Sequence, residues 1–368
     1  MRRFLFLILA LTMLLTACGQ QQTQGRDAAP VESMSLEYAA QFSVDYYEGG
    51  YPEITVGEDR FLLVLEGGTA PEDADIPVLY QPVTDIYVAS SSVMDLFLRL
   101  DALDAVTMTS TMAENWSIPE IAEAVRRDDI LYVGKYSAPD YEVVLDMGCK
   151  LAVENTMIYH SPETKEKLEA LGIPVLVERS SYEIHPMGRV EWIKLYGLLT
   201  GRLDAAEAFF EECVRQMNEV QARENTGKTA AFFYVTAAGT VNVRRPGDYI
   251  VKMIELSGGN YMLSDLAADD SKASSTMNME LEAFYAGAKD ADVLIYNSTI
   301  DGGVASLDDL TKKAPMLSDF KAVQTGNVWC TEKNLFQQVG GTTDMIADLH
   351  AVFSGDTNRE LTYLYQLK

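Results

Sequence analysis

Cysteine, histidine and tryptophan are scarce in this 368-residue chain, at 4, 3 and 3 residues. Cys18 closes an N-terminal apolar run, and Cys149, Cys213 and Cys330 form no C-x-x-C pair. The spacing therefore encodes neither a disulfide framework nor a cysteine-ligated zinc site, and the three are read as isolated buried thiols. His160, His185 and His350 show no i, i+4 pairing. A histidine zinc site would need all three to converge from distant segments; the alternative is satisfied structural histidines. Basic residues are outnumbered, 29 Lys and Arg against 55 Asp and Glu, for a formal net charge of −26. Such a body is repelled by DNA, RNA and anionic headgroups, so nucleic acid is excluded as a partner. There is no Gly-x-Ser-x-Gly, no Walker-type and no Gly-x-Gly-x-x-Gly segment, which argues against catalysis. The acid pairs Asp269-Asp270 and Asp308-Asp309 leave a surface hydrolase as the enzyme alternative, with solvation as their ordinary reading.

The N-terminus carries a clearer signal. Arg2 and Arg3 precede a weakly polar to apolar stretch from Phe4 to Thr16, followed by Ala17, Cys18 and Gly19. Positive start, apolar middle and small-residue end make residues 1–17 a signal peptide, too short for the roughly 20 residues of a spanning helix. Leu15-Thr-Ala-Cys18 resembles the bacterial lipobox, in which Cys18 becomes a lipidated N-terminus; an ordinary signal peptide is the alternative. Residues 18–30, rich in Gln, Thr, Gly and Ala, suit a flexible linker between membrane and body. The remainder exceeds one comfortable core and predicts two domains of roughly 150 residues each.

Apolar, β-branched runs alternate with amphipathic stretches, the pattern of α/β layers. Strands are expected near Asp85–Ala89, Ala105–Thr107, Ile130–Val133, Lys150–Val153 and Pro174–Val177, with helices at Val93–Leu100, Glu142–Met147 and Pro162–Leu171. A second unit shows strands near Thr229–Val235, Asp292–Ile295 and Asn327–Cys330, and helices near Tyr249–Leu256, Leu281–Ala288 and Thr343–Phe353. Ser35–Leu79 reads as a hairpin-like elaboration. Between the units, Gly188 to Asn225 is strongly helical, with Gly197, Thr200 and Gly201 as a dividing point. The resulting organisation is an N-terminal α/β lobe over 31–186, a connecting helical segment over 187–225 and a C-terminal α/β lobe over 226–368. The fold class is α/β: two lobes of mainly parallel sheets with flanking helices, joined by a long interdomain helix, with a ligand cleft between them.

These pieces resemble the helix-linked class of periplasmic binding proteins that serves siderophore, haem and cobalamin importers. The resemblance spans about Pro82 to Ser354. It is carried by Ile86-Tyr-Val-Ala-Ser-Ser-Ser-Val-Met-Asp-Leu-Phe, Glu142-Val-Val-Leu-Asp-Met-Gly, Lys150-Leu-Ala-Val and Lys167-Leu-Glu-Ala-Leu-Gly-Ile-Pro-Val in the first lobe. In the second it is carried by Met253-Ile-Glu-Leu-Ser-Gly-Gly-Asn-Tyr, Ala288-Lys-Asp-Ala-Asp-Val-Leu-Ile-Tyr and Ala322-Val-Gln-Thr-Gly-Asn-Val-Trp. It departs from the commoner pattern in the elaboration before Asp85 and in Met147-Gly-Cys149, where many relatives place a proline. The resemblance implies a monomeric, non-enzymatic solute-binding lipoprotein on the outer face of the cell membrane. It would have no resident cofactor, would capture an iron complex, with haem or cobalamin as alternatives, and would pass it to an ABC permease. It also implies one acidic docking residue per lobe, which by motif position are Glu142 and Glu282, with Glu280 a near alternative.

Ligands of open α/β sheets bind beyond the carboxyl ends of the strands. That rule selects loops carrying Ser91, Trp116, Lys135, Tyr136, Tyr159 and Tyr182 in the first lobe, and Arg244, Arg245, Asn297 and Phe336 in the second. Ser90 to Ser92 sit at a strand-to-helix passage, where they either meet an anionic or carbonyl-rich ligand or simply cap the helix. Arg244 and Arg245 precede the turn Pro246-Gly247-Asp248; they either offer two guanidinium forks to an anion or form a solvated turn with one arginine paired to Asp248. The aromatics supply walls for a planar ligand, or core.

Overall fold

The computed structural model describes residues 29–48, 51–72, 74–266, 275–300 and 302–368. The signal segment, Cys18 and most of the linker, and Asp269-Asp270, lie outside the described residues.

The segment read as a hairpin is a five-stranded sheet, β1 (Glu32–Ser33), β2 (Phe42–Tyr46), β3 (Pro52–Val56), β4 (Asp59–Val64) and β5 (Val78–Tyr80), in sequential order. Its first four strands pair antiparallel, and β5 joins β4 parallel. Phe42 and Val44 alternate with half-buried Ser43 and Asp45, the period-two pattern of a sheet with one face on a core.

The first lobe runs β6 (Ile86–Val88), α1 (Met94–Arg99), β7 (Val106–Thr109), α2 (Pro119–Arg126), β8 (Leu131–Tyr132), the hairpin β9 (Gly134–Lys135) and β10 (Ala138–Pro139), α3 (Tyr141–Asp146), β11 (Leu151–Asn155), α4 (Pro162–Ala170) and β12 (Val175–Glu178). Its sheet, in order β12-β11-β6-β7-β8, is parallel throughout. Both faces are covered, so its strands are continuous apolar runs. Ile86, Val88, Leu151 and Val153 belong to the main core, while Tyr87, Ala152, Val175 and Val177 form a second cluster with Val144 of α3 and Leu168 of α4.

The bridge is three helices, α5 (Pro186–Glu191), α6 (Ile193–Thr200) and α7 (Leu203–Gln221). The break falls at Gly201, which ends α6 at φ +73, a left-handed conformation that a side chain resists. Every residue of α6 is buried. On α7, Ala206, Phe210, Cys213, Met217 and Val220 form one buried stripe at helical spacing. The two helices meet where a Cβ on Gly197 would lie 2.5 Å from that of Ala206, so only glycine permits this approach.

The second lobe runs β13 (Thr229–Val235), β14 (Val241–Arg244), α8 (Tyr249–Leu256), β15 (Asn260–Tyr261), β16 (Thr276–Met279), α9 (Leu281–Ala288), β17 (Val293–Tyr296), α10 (Leu307–Lys313), α11 (Lys321–Gln324), β18 (Val328–Thr331), α12 (Thr342–Ser354) and β19 (Leu364–Gln366). It is less parallel than expected. β13, β17 and β18 are parallel at the centre and β15 joins β13 parallel, but β14, β16 and β19 pair antiparallel. A single apolar cluster runs from Val44 and Ile54 through Trp192 and Leu195 to Phe232 and Ile295. The first sheet, the bridge and both lobes thus share one core, which resists independent motion of the parts.

Candidate functional site

Parallel strands end at one rim. In the first lobe the carboxyl ends of β6, β7, β11 and β12 deliver the segments after Val88, Thr109, Asn155 and Glu178; in the second, β17 and β18 deliver those after Tyr296 and Thr331. The rims touch at Gln337, whose side-chain oxygen accepts from the Ser117 N–H at 2.7 Å while its amide nitrogen donates to the Asn115 carbonyl at 2.8 Å. One side chain thereby copies a strand-pairing contact across the lobes. Deeper in, the Gly340 N–H donates to the buried carboxylate of Asp95 on α1 at 2.7 Å. Beside the Gln337 clasp opens a cavity of about 870 Å³, with Glu114 and Trp116 from the first lobe and Ser298, Glu332, Asn334 and Tyr365 from the second in its wall. That volume suits a small-molecule ligand.

The wall is mostly polar. Trp116 is 7 % exposed and donates its indole N–H to the Thr111 carbonyl, which fixes the ring as one face. The Ser298 hydroxyl donates to the Thr331 carbonyl. Asn334 donates to the Gln338 side-chain oxygen at 2.9 Å and to the Thr362 carbonyl at 3.3 Å. Its own side-chain oxygen is buried with no hydrogen-bond partner among the described residues.

The arginines are not the exposed forks that Pro246-Gly247 suggested. Arg244 lies on β14, which the loop reading missed, and is 8 % exposed. Its guanidinium sits 3.5 Å from Asp248 and packs over the rings of Phe232 and Phe336. The pairing with Asp248 is the alternative considered for this turn, but it is buried instead of solvated. Asp248 also caps α8 through the Ile250 N–H. Arg189, from α5, covers the Tyr249 ring and lies in the fields of both Asp248 and Glu178. Burial pushes both acids above the usual carboxylate range, opposed by these arginines. Buried charges of alternating sign therefore run from Glu178 of the first lobe through Arg189 of the bridge to Asp248 and Arg244 of the second. Arg245 is half-buried and donates to the Thr276 carbonyl at 3.2 Å. Breaking a buried ion pair leaves its partner uncompensated, so Arg244→Ala is expected to destabilise the fold by about 3 kcal/mol, read as a lowered urea midpoint. A midpoint equal to that of the parent would return Arg244 to a ligand-facing role.

Other expected residues divide. Tyr159 and Tyr182 meet through Arg179, which donates to the Tyr159 hydroxyl at 3.1 Å and covers the Tyr182 ring at 4.9 Å. Ser91 is half-buried in the turn after β6; α1 begins after Val93 without a side-chain cap, so the serines do not cap it. Ser90 instead donates to Glu178 at 3.3 Å. Asn297 is 2 % exposed and its side-chain oxygen accepts from Thr299, which makes it a turn former, not a contact facing the cleft. Phe336 is half-buried against Arg244, Lys135 is exposed on β9, and Tyr136 packs on the second core cluster. Glu142 and Glu282 are exposed in the first turns of α3 and α9, one on each lobe. The histidines do not converge: His350 is buried against the Ser257 carbonyl, His185 accepts from the Met187 N–H, and His160 is exposed. Among the described residues no group of His, Cys, Asp and Glu is disposed to hold a metal ion. Asp308 pairs with Lys312 along α10, an exposed helix face.

The wall residues Glu114, Glu332, Asn334, Gln337 and Tyr365 were not singled out in the sequence. The loop holding the middle three follows a recognisable strand, but Tyr365 comes from β19, whose signal is only the short alternation Leu361-Thr-Tyr-Leu-Tyr365.

The sequence profile of the periplasmic binding proteins matches residues 86–335. An uncharacterized lipoprotein of Methanocaldococcus jannaschii is 25 % identical over 95 % of this chain and 91 % of its own. Among solved structures, the periplasmic heme-binding protein of Vibrio cholerae superimposes with a TM-score of 0.59 at 18 % identity, over 73 % of this chain and 97 % of its own. A Fe3+-hydroxamate transport protein of Saccharomonospora viridis does so with a TM-score of 0.56 at 19 % identity, over 73 % and 92 %. Two α/β lobes on a helical bridge, a cavity where their rims meet and a profile match across both lobes lead to one conclusion: this chain belongs to the periplasmic binding protein family, the solute-binding proteins of ABC transporters, and is not an enzyme.

Proposed function

We propose that this chain is held by lipid at Cys18 on the outer face of the cell membrane, captures a ferric siderophore between its lobes and hands it to an ABC permease. The observation that carries the ligand assignment is the polar interlobe cavity of about 870 Å³. Hydroxyls, amides and carboxylates suit a hydrophilic chelate, whereas haem needs broad apolar walls. The lipobox-like Leu15-Thr-Ala-Cys18 supports the anchor, as does the naming of the archaeal relatives as lipoproteins. No helix among the described residues is long and apolar enough to cross a membrane. In this reading Glu142 and Glu282 meet permease arginines, one from each lobe, and their exposure supports it.

Titrating the mature protein with ferric hydroxamates is expected to change Trp116 fluorescence with micromolar or tighter affinity. Glu142→Lys and Glu282→Lys should leave that titration unchanged and strongly reduce uptake by the permease in proteoliposomes. Saturable binding of haem or cobalamin alone would replace the siderophore, and unchanged uptake by both variants would remove the docking role.

A further inference from the structure

We infer that Gln337 is a positioning residue for ligand capture, holding the two rims at binding distance before any solute arrives; this rests on the carrier reading above and deepens it. Both hydrogen-bonding groups of its side chain are in use, and both reach across to the first lobe. Oε1 accepts from the Ser117 N–H at 2.7 Å and Nε2 donates to the Asn115 carbonyl at 2.8 Å. Only a carboxamide of this length supplies the pair, because an alanine makes neither bond and a glutamate keeps only the accepting half.

Each end of this clasp is mounted on a braced segment. On the second lobe, the Gln337 and Gln338 N–H groups both donate to the Asn334 carbonyl at 3.0 Å, and the Asn334 amide donates to the Gln338 side-chain oxygen at 2.9 Å. Three residues on, the Gly340 N–H is bonded to Asp95 of α1, and a Cβ on Gly340 would lie 2.8 Å from that carboxylate, so the backbone there rests directly on the first lobe. On the first lobe, the Asn115 N–H donates to the Met112 carbonyl at 3.0 Å and the Trp116 indole to the Thr111 carbonyl at 3.2 Å, which fixes the segment that meets Gln337. Asn115, Trp116, Ser117 and Gln337 all line the cavity of about 870 Å³. The two bonds therefore set the spacing of its walls. Walls already in place leave less ordering to be done when a solute binds.

The test compares Gln337→Ala and Gln337→Glu with the parent, all in the mature chain carrying Trp329→Phe, so that quenching reports Trp116 while Trp192 stays fully buried. Loss of the clasp is expected to raise acrylamide quenching of Trp116 and amide exchange at Gly340 by about threefold or more. Binding of a ferric tris-hydroxamate should weaken about tenfold, mostly through faster release. The glutamate variant matches the parent in size but has no hydrogen to give Asn115, so it should follow the alanine variant. Urea midpoints should equal that of the parent, since the shared core is untouched. Unchanged quenching and exchange in Gln337→Ala would overturn the inference, as would parent-like affinity once the rims have loosened. A glutamate variant that matches the parent would overturn it too, because Gln337 would then only fill space. If the parent binds no hydroxamate while the variants loosen, the siderophore reading falls and the spacing role of Gln337 stands.

Discussion

Glu191→Ala is expected to lose on the order of 5 kcal/mol of stability, more than any ligand-facing change. Glu191 ends α5 with no exposed surface and accepts from the backbone N–H groups of Glu37, Tyr38 and Ala39 at 2.8–3.1 Å and from Lys194 at 2.7 Å. Glu183 continues the row, accepting from the Ala40 and Gln41 N–H groups and from the Trp192 indole at 2.9 Å. Five consecutive amides between β1 and β2 are thereby fastened to the start of the bridge. Tyr38 adds a stacked contact with His185 at 4.5 Å. Each stranded buried donor costs about 1–3 kcal/mol, and a half-broken buried ion pair about 3–5 kcal/mol, so even partial relaxation leaves a large deficit. Urea unfolding measures the total, and hydrogen exchange at residues 37–39 locates it. Glu191→Gln keeps one acceptor oxygen and should fall between the two. A Glu191→Ala protein within about 1 kcal/mol of the parent would show that this segment does not brace the bridge.

The second large effect depends on pH. Glu154 on β11 is fully buried, and neither carboxylate oxygen has a hydrogen-bond partner among the described residues. Desolvation pushes it from the usual 4.5 up to about 8. The folded state therefore holds a proton that the unfolded state releases once pH passes 4.5. The contribution of Glu154 to stability is highest below that value, falls through the window between the two, and levels off above about pH 8. At about 1.4 kcal/mol per unit, the loss across the window is on the order of 5 kcal/mol. Glu154→Gln cannot ionise, so the difference in urea midpoint between variant and parent should move in favour of the variant from pH 5 to pH 8.5. Parallel pH profiles would mean that Glu154 is already ionised in the fold.

Glu154 also shows why part of the chain was readable and part was not. The apolar run that marks β11 in Leu151-Ala-Val was enough to place a strand there, because a parallel strand covered on both faces must be apolar wherever it is central. The same pattern located β6, β12, β13 and β17 within a residue or two, and α7 lies inside the segment Gly188 to Asn225 that reads as helical. β14 escaped because Pro246-Gly247 dominated its neighbourhood, while the evidence for a strand was only Val241-x-Val243 after the Thr236–Thr240 turn. That omission turned Arg244 from a buried ion-pair partner into an expected anion contact. A guanidinium has the same local sequence in either role; only the carboxylate opposite it decides. The five strands before Asp85 were compressed into one hairpin for a related reason: antiparallel pairing is set by partners, and short strands carry few residues to declare them.

Class, helical bridge and the two acidic helix starts were determined by sequence alone, since each rests on a local pattern: a period of residues or a motif at a fixed spacing. The wall of the cavity was decided by tertiary structure. Glu114, Asn334, Gln337 and Tyr365 come from segments far apart in the chain, and their neighbourhood exists only once the shared core has set the rims against each other. The pairing of Arg244 with Asp248 belongs to the same class of fact, because whether a charge faces ligand or protein depends on what the fold brings within a few ångströms of it.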